Sequence, residues 1–386
     1  MDREQVDIAV VGAGPVGLAA ALLLDRLGYR VALIAPAIAR ADHRTSALLS
    51  GSVRLLDRIG VWETASKAAA PLRSLRIVDA TGRLIRSPEV IFHAGEIDLE
   101  AFGYNIPNSA LVEALEARLQ ASGVLRISAM VDDIRFPEER VAVSLSDGSA
   151  ISTLLVAGAD GRASKTRQAA EIGTREWRYD QSALVANLRH SRPHECTSTE
   201  FHTPTGPMTF VPLEGQRSSL VWVGSRAETD YRAALDEADF VKELEERSSW
   251  LLGDLEIEGG RQTFPLSGLN AESFAGRRTV LLGEAAHLFP PIGAQGLNLG
   301  YRDVSALGKI LARRRPDPGK ADVTSAYDRA RRSDVFLRTT AVDALNRSLL
   351  NGFLPVQGVR GLGLFMLDRV PVLRRALMKQ GVAASF

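Results

Sequence analysis

Residues 6–35 read VDIAVVGAGPVGLAAALLLDRLGYRVALIA. Val6–Val11 is an apolar run of strand length, ended by Gly12. Leu18, Ala19, Leu22, Leu23 and Leu27 recur at helical spacing, and Gly28 stands where a C-terminal cap belongs. Val31–Ala35 is a second buried strand. Together they make a βαβ unit of about 30 residues, which implies a parallel sheet with a right-handed crossover. The joint between first strand and helix is Gly12-Ala13-Gly14-Pro15-Val16-Gly17, a G-x-G-x-x-G. There Gly12 permits a tight turn, Gly14 lets a pyrophosphate approach the backbone, and Gly17 lets helix pack on strand. The helix start adds free N–H groups and about half a positive charge. With both strands and the helix in place, dinucleotide binding is expected over a purely structural glycine turn. One element is missing: Ile34 is followed by Ala35-Pro36, not by the acid that grips a ribose, and Asp42 is not correctly placed.

Working outward, 52–62 reads as a helix capped by Gly60, and His43-Arg44-Thr45-Ser46 as the start of a helix-like stretch. From Leu72 to Asp98 short strands alternate with turns at Thr81-Gly82 and Ser87-Pro88. Ser109–Ser122 is an amphipathic helix. Strands are expected at Arg126–Val131, Val141–Leu145 and Ile151–Ala157, a β-rich stretch at 180–224, and acidic helix at 227–252. The simplest arrangement is α/β: a discontinuous Rossmann-like parallel-sheet domain (1–71, 99–180, 272–340), an inserted β-rich domain (72–98, 181–271), and a helical C-terminal region (341–386).

At 386 residues the chain can build two or more packed regions. Composition is ordinary (45% hydrophobic, 24% charged, net +1), and no basic tract suggests a nucleic-acid partner. The single Cys196 excludes an internal disulfide and reads as an inert thiol in a reducing compartment. The polar start Met1–Asp7 runs directly into a strand, so no signal peptide is expected, and Val16–Leu24 falls well short of the ~20 residues that span a bilayer. A soluble, cytoplasmic protein is expected. Charge is uneven, however: residues 313–386 hold fourteen Lys/Arg against six Asp and no Glu, a net of +8 that leaves −7 for the rest.

Two further segments carry chemistry. In 155–162, LVAGADGR, Asp160 lies where a parallel strand meets a ligand crevice; an Asx-type turn explains it equally well. Residues 283–303, GEAAHLFPPIGAQGLNLGYRD, follow the apolar run Thr279–Leu282. Glu284 at a strand end can bond sugar-like hydroxyls. Pro290 and Pro291 fix φ and remove two N–H donors, making a rigid ledge. Gly293 and Gly296 bring bare backbone to a ligand at the next helix start. His287 is either a base or a buried hydrogen-bonding residue. Arg44 could pair with a diphosphate or sit solvated on the surface.

These three motifs, in this order, resemble the FAD-dependent aromatic-ring monooxygenases of the p-hydroxybenzoate hydroxylase superfamily, over essentially the whole chain. RTSALLSGSVRLLDRIGVW (44–62), NIPNSALVEALEARL (105–119) and GAQGLNLGYRD (293–303) look most like the ubiquinone-biosynthesis hydroxylases. The resemblance implies FAD, held by Gly12, Ala13, Gly14, Pro15, Gly17, Arg44, Asn108, Val131, Asp160 and Glu284, with Gly293, Ala294, Gln295, Gly296, Leu297 and Asn298 around the isoalloxazine. It singles out no catalytic residue; His287, Pro290 and Pro291 are the flavin-edge candidates. It further implies NADH or NADPH as co-substrate and one oxygen atom of O2 delivered to a lipophilic phenol, with no metal. No second G-x-G-x-x-G provides a separate nicotinamide domain. Where the family pattern has Asp, this chain has Glu284, one methylene longer. Alternatives are hydroxylation of a small soluble aromatic acid, a prenyl-chain reductase, and a non-catalytic flavoprotein subunit of a biosynthetic complex. The basic C-terminal region suggests partners in such a complex or peripheral contact with the inner membrane face.

Overall fold

The computed structural model describes residues 4–36, 44–82, 88–289, 295–313 and 316–350 (side chains to Val335), with Arg374, Arg375 and Met378. The opening βαβ unit forms as its pattern dictates. Ile8–Val11 and Val31–Ile34 are buried throughout, and the helix Pro15–Arg26 between them buries every residue from Gly17 to Leu24. An almost uniformly apolar helix must be covered on several sides, and this one packs against the Asn108–Gln120 and Gln295–Leu311 helices as well as the sheet. Gly28, at φ +85°, ends it with its N–H on the Asp25 carbonyl, 2.8 Å away.

Around this unit grows a six-stranded sheet in the order Ala275–Gly276, Thr279–Leu281, Leu155–Gly158, Ile8–Val11, Val31–Ile34, Leu125–Ile127. All its pairings are parallel except the first, so the glycine turn, the 158–164 turn and the 283 turn leave from carboxyl ends of adjacent strands. An eight-stranded sheet carries the long antiparallel strands Thr174–His190 and Leu255–Ala271 at one side, with Arg217–Ser225, Gly206–Leu213 and Thr197–Thr203 beyond them. The 180/181 division falls inside the first of these strands. One face of this sheet is sealed by the Arg226–Ala234 and Glu237–Ser248 helices, with Trp222 packed on Phe240 and Arg232 stacked 4.0 Å from its ring. The other face meets a small sheet of Thr45–Leu49, Gly103–Pro107 and Ala70–Leu72. Thr45 Oγ1 donates to Ser219 Oγ at 2.9 Å, and Asn105 Nδ2 donates to the Pro212 carbonyl at 2.9 Å.

Three local expectations are corrected. The stretch after Arg44 is a strand, Thr45–Leu49, because it pairs in register with Gly103–Pro107; the helix starts at Ser50. The run 126–131 divides between Leu125–Ile127 in the parallel sheet and Val131–Arg135 in a four-stranded one. The run 151–157 divides likewise into Ala150–Thr153 and Leu155–Gly158. The Ala321–Leu350 helix runs across the 340/341 boundary. Ser87 lies outside the described residues, as does most of the expected helical region beyond residue 350.

Candidate active site

The three motif turns interlock through backbone that tolerates no side chain. Gly12 has φ +105°, and a Cβ there would stand 2.2 Å from the Ala159 carbonyl oxygen; at Gly17 it would stand 1.9 Å from the Gly12 carbonyl oxygen. A Cβ at Gly300 would come within 2.5 Å of the Val16 side chain, and one at Gly283 within 3.2 Å of it. Glycine-turn helix, 283 turn and Gln295–Leu311 helix therefore meet at Val16.

Gly14 is different. It is exposed, and a Cβ on it would meet nothing within 4 Å. The fold has no packing use for that glycine, whereas close approach of a ligand to the backbone does. Ala13 and Pro15 flank it, half-buried. The helix that follows has no side-chain cap and no acid in its first turn, which leaves its N–H groups and positive end for an anion. Gly296 is likewise exposed with 4 Å clear where its Cβ would be, in the first turn of the Gln295–Leu311 helix beside half-buried Leu297. Glu284 projects from a single 3-10 turn, exposed and without a hydrogen bond or ion pair to any described residue. These features fit FAD: bare backbone and a helix start for its pyrophosphate, and an uncommitted carboxylate for its hydroxyls.

Other expected residues do local work. The Asp160 carboxylate accepts from Ser164 Oγ at 2.5 Å and from Thr166 N and Oγ1 at 3.0 Å each, so the turn-forming role is realised. Buried Arg167 donates to the carbonyls of Ala285, at 2.9 Å, and Arg162, at 2.8 Å, tying that turn to the 283 segment. The Val131 carbonyl accepts from Lys165 Nζ at 2.7 Å. Arg44 is exposed with its guanidinium 5.7 Å from the Phe264 ring centroid, and its carbonyl accepts from Asn108 N at 2.9 Å. Asn108 Oδ1 in turn accepts from Ser46 Oγ at 2.6 Å. Pairing of Thr45–Leu49 with Gly103–Pro107 is what brings Arg44 and Asn108 together.

Asn298 is buried and fully engaged. Its Oδ1 accepts from Leu49 N (2.9 Å) and Ser52 Oγ (2.6 Å), and its Nδ2 donates to the Ala47 carbonyl (2.8 Å). The side chain thus pins the GAQGLN turn to the strand after Arg44, while its backbone stays in the helix's first turn.

His287 is 2% exposed, lies near the Phe274 and Phe289 rings, and bonds through Nε2 to Asp303 at 2.8 Å. Of the two roles read from the sequence, the described residues give this ring the buried hydrogen-bonding one. Asp303 and its partner Arg331 were not singled out from the sequence. Asp303 does stand in the GYRD ending of the quoted motif, but nothing marks Arg331, which reaches it from another helix. Pro290, Pro291, Gly293 and Ala294 lie outside the described residues, as does the side chain of Gln295.

Residues 5–339 match the family described as FAD binding domain. Ubiquinone hydroxylase UbiL of Rhodospirillum rubrum is 34% identical, covering 97% of this chain and 89% of its own. The 3-demethoxyubiquinol 3-hydroxylase of Escherichia coli is 33% identical, covering 98% and 99%. Among solved structures, p-nitrophenol 4-monooxygenase PnpA from Pseudomonas putida DLL-E4 superposes with a TM-score of 0.79 over 98% of each chain, a likeness of fold at 19% identity. Bare glycines at a parallel-sheet edge, an uncommitted Glu284 and these matches agree: the chain belongs to the FAD-dependent aromatic-ring monooxygenases.

Proposed function

We propose that this monooxygenase hydroxylates the ring of a prenylated phenol or quinol in ubiquinone biosynthesis, with NADH or NADPH as reductant. The observation that carries the substrate class is a half-exposed strip on the eight-stranded sheet. Leu184, Leu188, Phe210, Leu220 and Trp222 pack into the helix-covered side. By alternation Val185, Thr209, Val211 and Val221 present the opposite side, and register sets Thr209, Val221 and Val185 abreast. Ser219, on that same side, bonds Thr45 next to Arg44, so the strip adjoins the candidate FAD site. A ring with an apolar tail suits such a surface, and both relatives named above act, by their names, on ubiquinone-type rings.

In this reading the glycine turn and helix start hold the FAD pyrophosphate, Glu284 accepts from its hydroxyls, and the first turn from Gly296 to Asn298 offers backbone to the ring system. Bound FAD supplies the redox chemistry. Per turnover NAD(P)H gives two electrons, one oxygen atom enters a ring C–H bond, and the other leaves as water. The protein's part is to orient the ring and exclude water from the strip. We further infer that the basic C-terminal region meets an anionic membrane surface, from which such a substrate could be drawn.

The test is purification followed by NAD(P)H oxidation. A yellow protein whose NAD(P)H consumption is stimulated by prenylated phenols with matching ring hydroxylation is the expected result. Equal coupling with small aromatic acids would transfer the reading to a soluble substrate, with Arg44 as the carboxylate's partner. Bound FAD without turnover would make it a non-catalytic subunit.

A further inference from the structure

Behind the 283 turn lies a carboxylate with no exposure at all. Asp303, on the Gln295–Leu311 helix, accepts three hydrogen bonds: from Gly283 N at 2.8 Å and His287 Nε2 at 2.8 Å on Oδ2, and from Arg331 Nε at 2.6 Å on Oδ1. Arg331, on the Ala321–Leu350 helix, also donates to Asp334 at 2.7 Å, and Asp334 lies 3.6 Å from Arg302. Two of the three bonds therefore land on the segment that carries Glu284. They fall at its start, where Gly283 turns at φ +58°, and at His287, close to the Phe289 ring just before Pro290. Burial acts to raise the Asp303 carboxyl, but the His287 ring, the Arg331 guanidinium and the Gly283 N–H hold it below the ordinary carboxylate range. It is an anion inside the core.

A buried ion pair is weak evidence for stability, since apolar replacements often serve as well. A short, rigid charge-assisted contact to one backbone N–H is better suited to holding that backbone in place. We propose that Asp303, with Arg331 as its counter-charge, is a positioning residue for FAD: it fixes the Gly283–His287 segment so that Glu284 meets the cofactor. This rests on the reading that Glu284 faces FAD.

The experiment compares the full chain with Asp303→Asn, with the charge-neutral double variant Asp303→Asn/Arg331→Met, with Arg331→Lys, and with Glu284→Ala. FAD affinity by fluorescence, visible circular dichroism of bound flavin, and apoprotein melting are read for each. Asp303→Asn and the double variant are expected to lose FAD affinity on the order of tenfold, as a charge-assisted bond becomes a neutral one. Their flavin dichroism should change while the double variant melts close to the parent, and Arg331→Lys, which keeps the counter-charge, should retain much of the parental affinity. If Asp303→Asn does not fold, the double variant decides. A well-folded double variant with parental affinity and dichroism would overturn the proposal. So would affinity and melting falling in proportion in every variant, or failure of both asparagine variants to fold, since each describes a strut for the core alone. Unchanged affinity in Glu284→Ala, with loss in Asp303→Asn, would instead strike the reading of Glu284 and leave Asp303 acting on the site by another route.

Discussion

Glu284 stands exposed at the end of a buried strand, without a described partner, where an ordinary core sequence would turn with glycine or asparagine. If it serves FAD, Glu284→Ala should weaken binding by about 1.5–3 kcal/mol, the worth of a charge-assisted hydrogen bond. Glu284→Asp should bind at least as well as the parent, because it shortens the reach to the length the family pattern has. Titration of apoprotein with FAD measures both, and an alanine variant of parental affinity would show that the carboxylate faces elsewhere. The glycines allow a sharper contrast. Gly17→Ala should not give a folded protein, since its Cβ would lie 1.9 Å from backbone oxygen, whereas Gly14→Ala has 4 Å clear and should fold with near-parental melting yet lose FAD. Gly14→Ala with undiminished affinity would remove pyrophosphate from that turn. At this scale the sequence was legible where spacing alone defines a role, as in G-x-G-x-x-G. It was silent on Arg331, whose significance comes only from a partner 28 residues away on another helix. Asp160 sat between two readings because a strand-end aspartate beside Ser164 and Thr166 bonds its own turn whether or not a ligand is near.

The same logic governs whole elements. Periodicity reports burial and backbone type, and it recovered the βαβ unit, the Asn108–Gln120 helix and the strand character of 180–224, but it did not single out the Leu255–Ala271 strand. It could not report which neighbour a strand pairs with. Residues 150–158 stay extended and largely buried throughout, so the change of sheet at Leu154, where its N–H turns to the Asp7 carbonyl, leaves no mark in the pattern. The Thr45–Leu49 strand was missed for a related reason: its identity comes from Gly103–Pro107, and from Asn298, which bonds three separate positions along 47–52. Asn298→Leu should therefore strand the Leu49 N–H and free the Gln295–Leu311 helix from that strand, costing about 1–3 kcal/mol in denaturant unfolding. Equal midpoints and slopes for variant and parent would deny the clamp. A second clasp is pH-dependent. Arg374 donates to Glu96 at 2.6 and 2.8 Å, and that bond, opposed by burial, holds the Glu96 carboxyl below its ordinary value of 4.5. A depressed carboxyl contributes stability that is present above pH 4.5 and lost as pH falls through the lower folded value. Glu96→Gln imitates the acid form, so at neutral pH it should speed tryptic cleavage near Arg374; cleavage at the parental rate would mean the ion pair does not hold this segment.

Over the whole molecule, one cluster of cations lies at the end of the parallel sheet opposite the chemistry. The FAD motifs leave the carboxyl ends of the parallel strands, while Arg277 and Arg278 precede the Thr279–Leu281 strand at its amino end. There a cleft of about 700 Å³ gathers Arg277, Lys320 and Arg329 with Glu138 and Asp328. A lipophilic substrate delivered at that end would have the sheet between it and FAD, so this cleft is the wrong place for membrane contact. The tail is the better one. Residues 345–379 carry Arg347, Arg360, Arg369, Arg374, Arg375 and Lys379 among leucines and phenylalanines, most of them outside the described residues. Arg374 is committed to Glu96, and Met378 is buried against Val90 and Phe92 at the edge of the eight-stranded sheet, which docks this end of the chain onto the sheet proposed to hold the substrate. The five remaining cations can each add ~1 kcal/mol of attraction to acidic lipid. Among the described residues no helix is long and apolar enough to cross a membrane, so the proposed contact is peripheral and salt-sensitive. Co-sedimentation with anionic liposomes at low salt should recover the protein in the pellet, and high salt or neutral lipid should release it. Replacing Arg360, Arg369, Arg375 and Lys379 by glutamine should abolish pelleting, while reversing Arg277, Lys320 and Arg329 to glutamate should leave most of it. Recovery in the supernatant under all four lipid and salt conditions would end the bilayer proposal; loss of pelleting only on reversing the cleft would move the contact to the far end of the sheet, away from FAD.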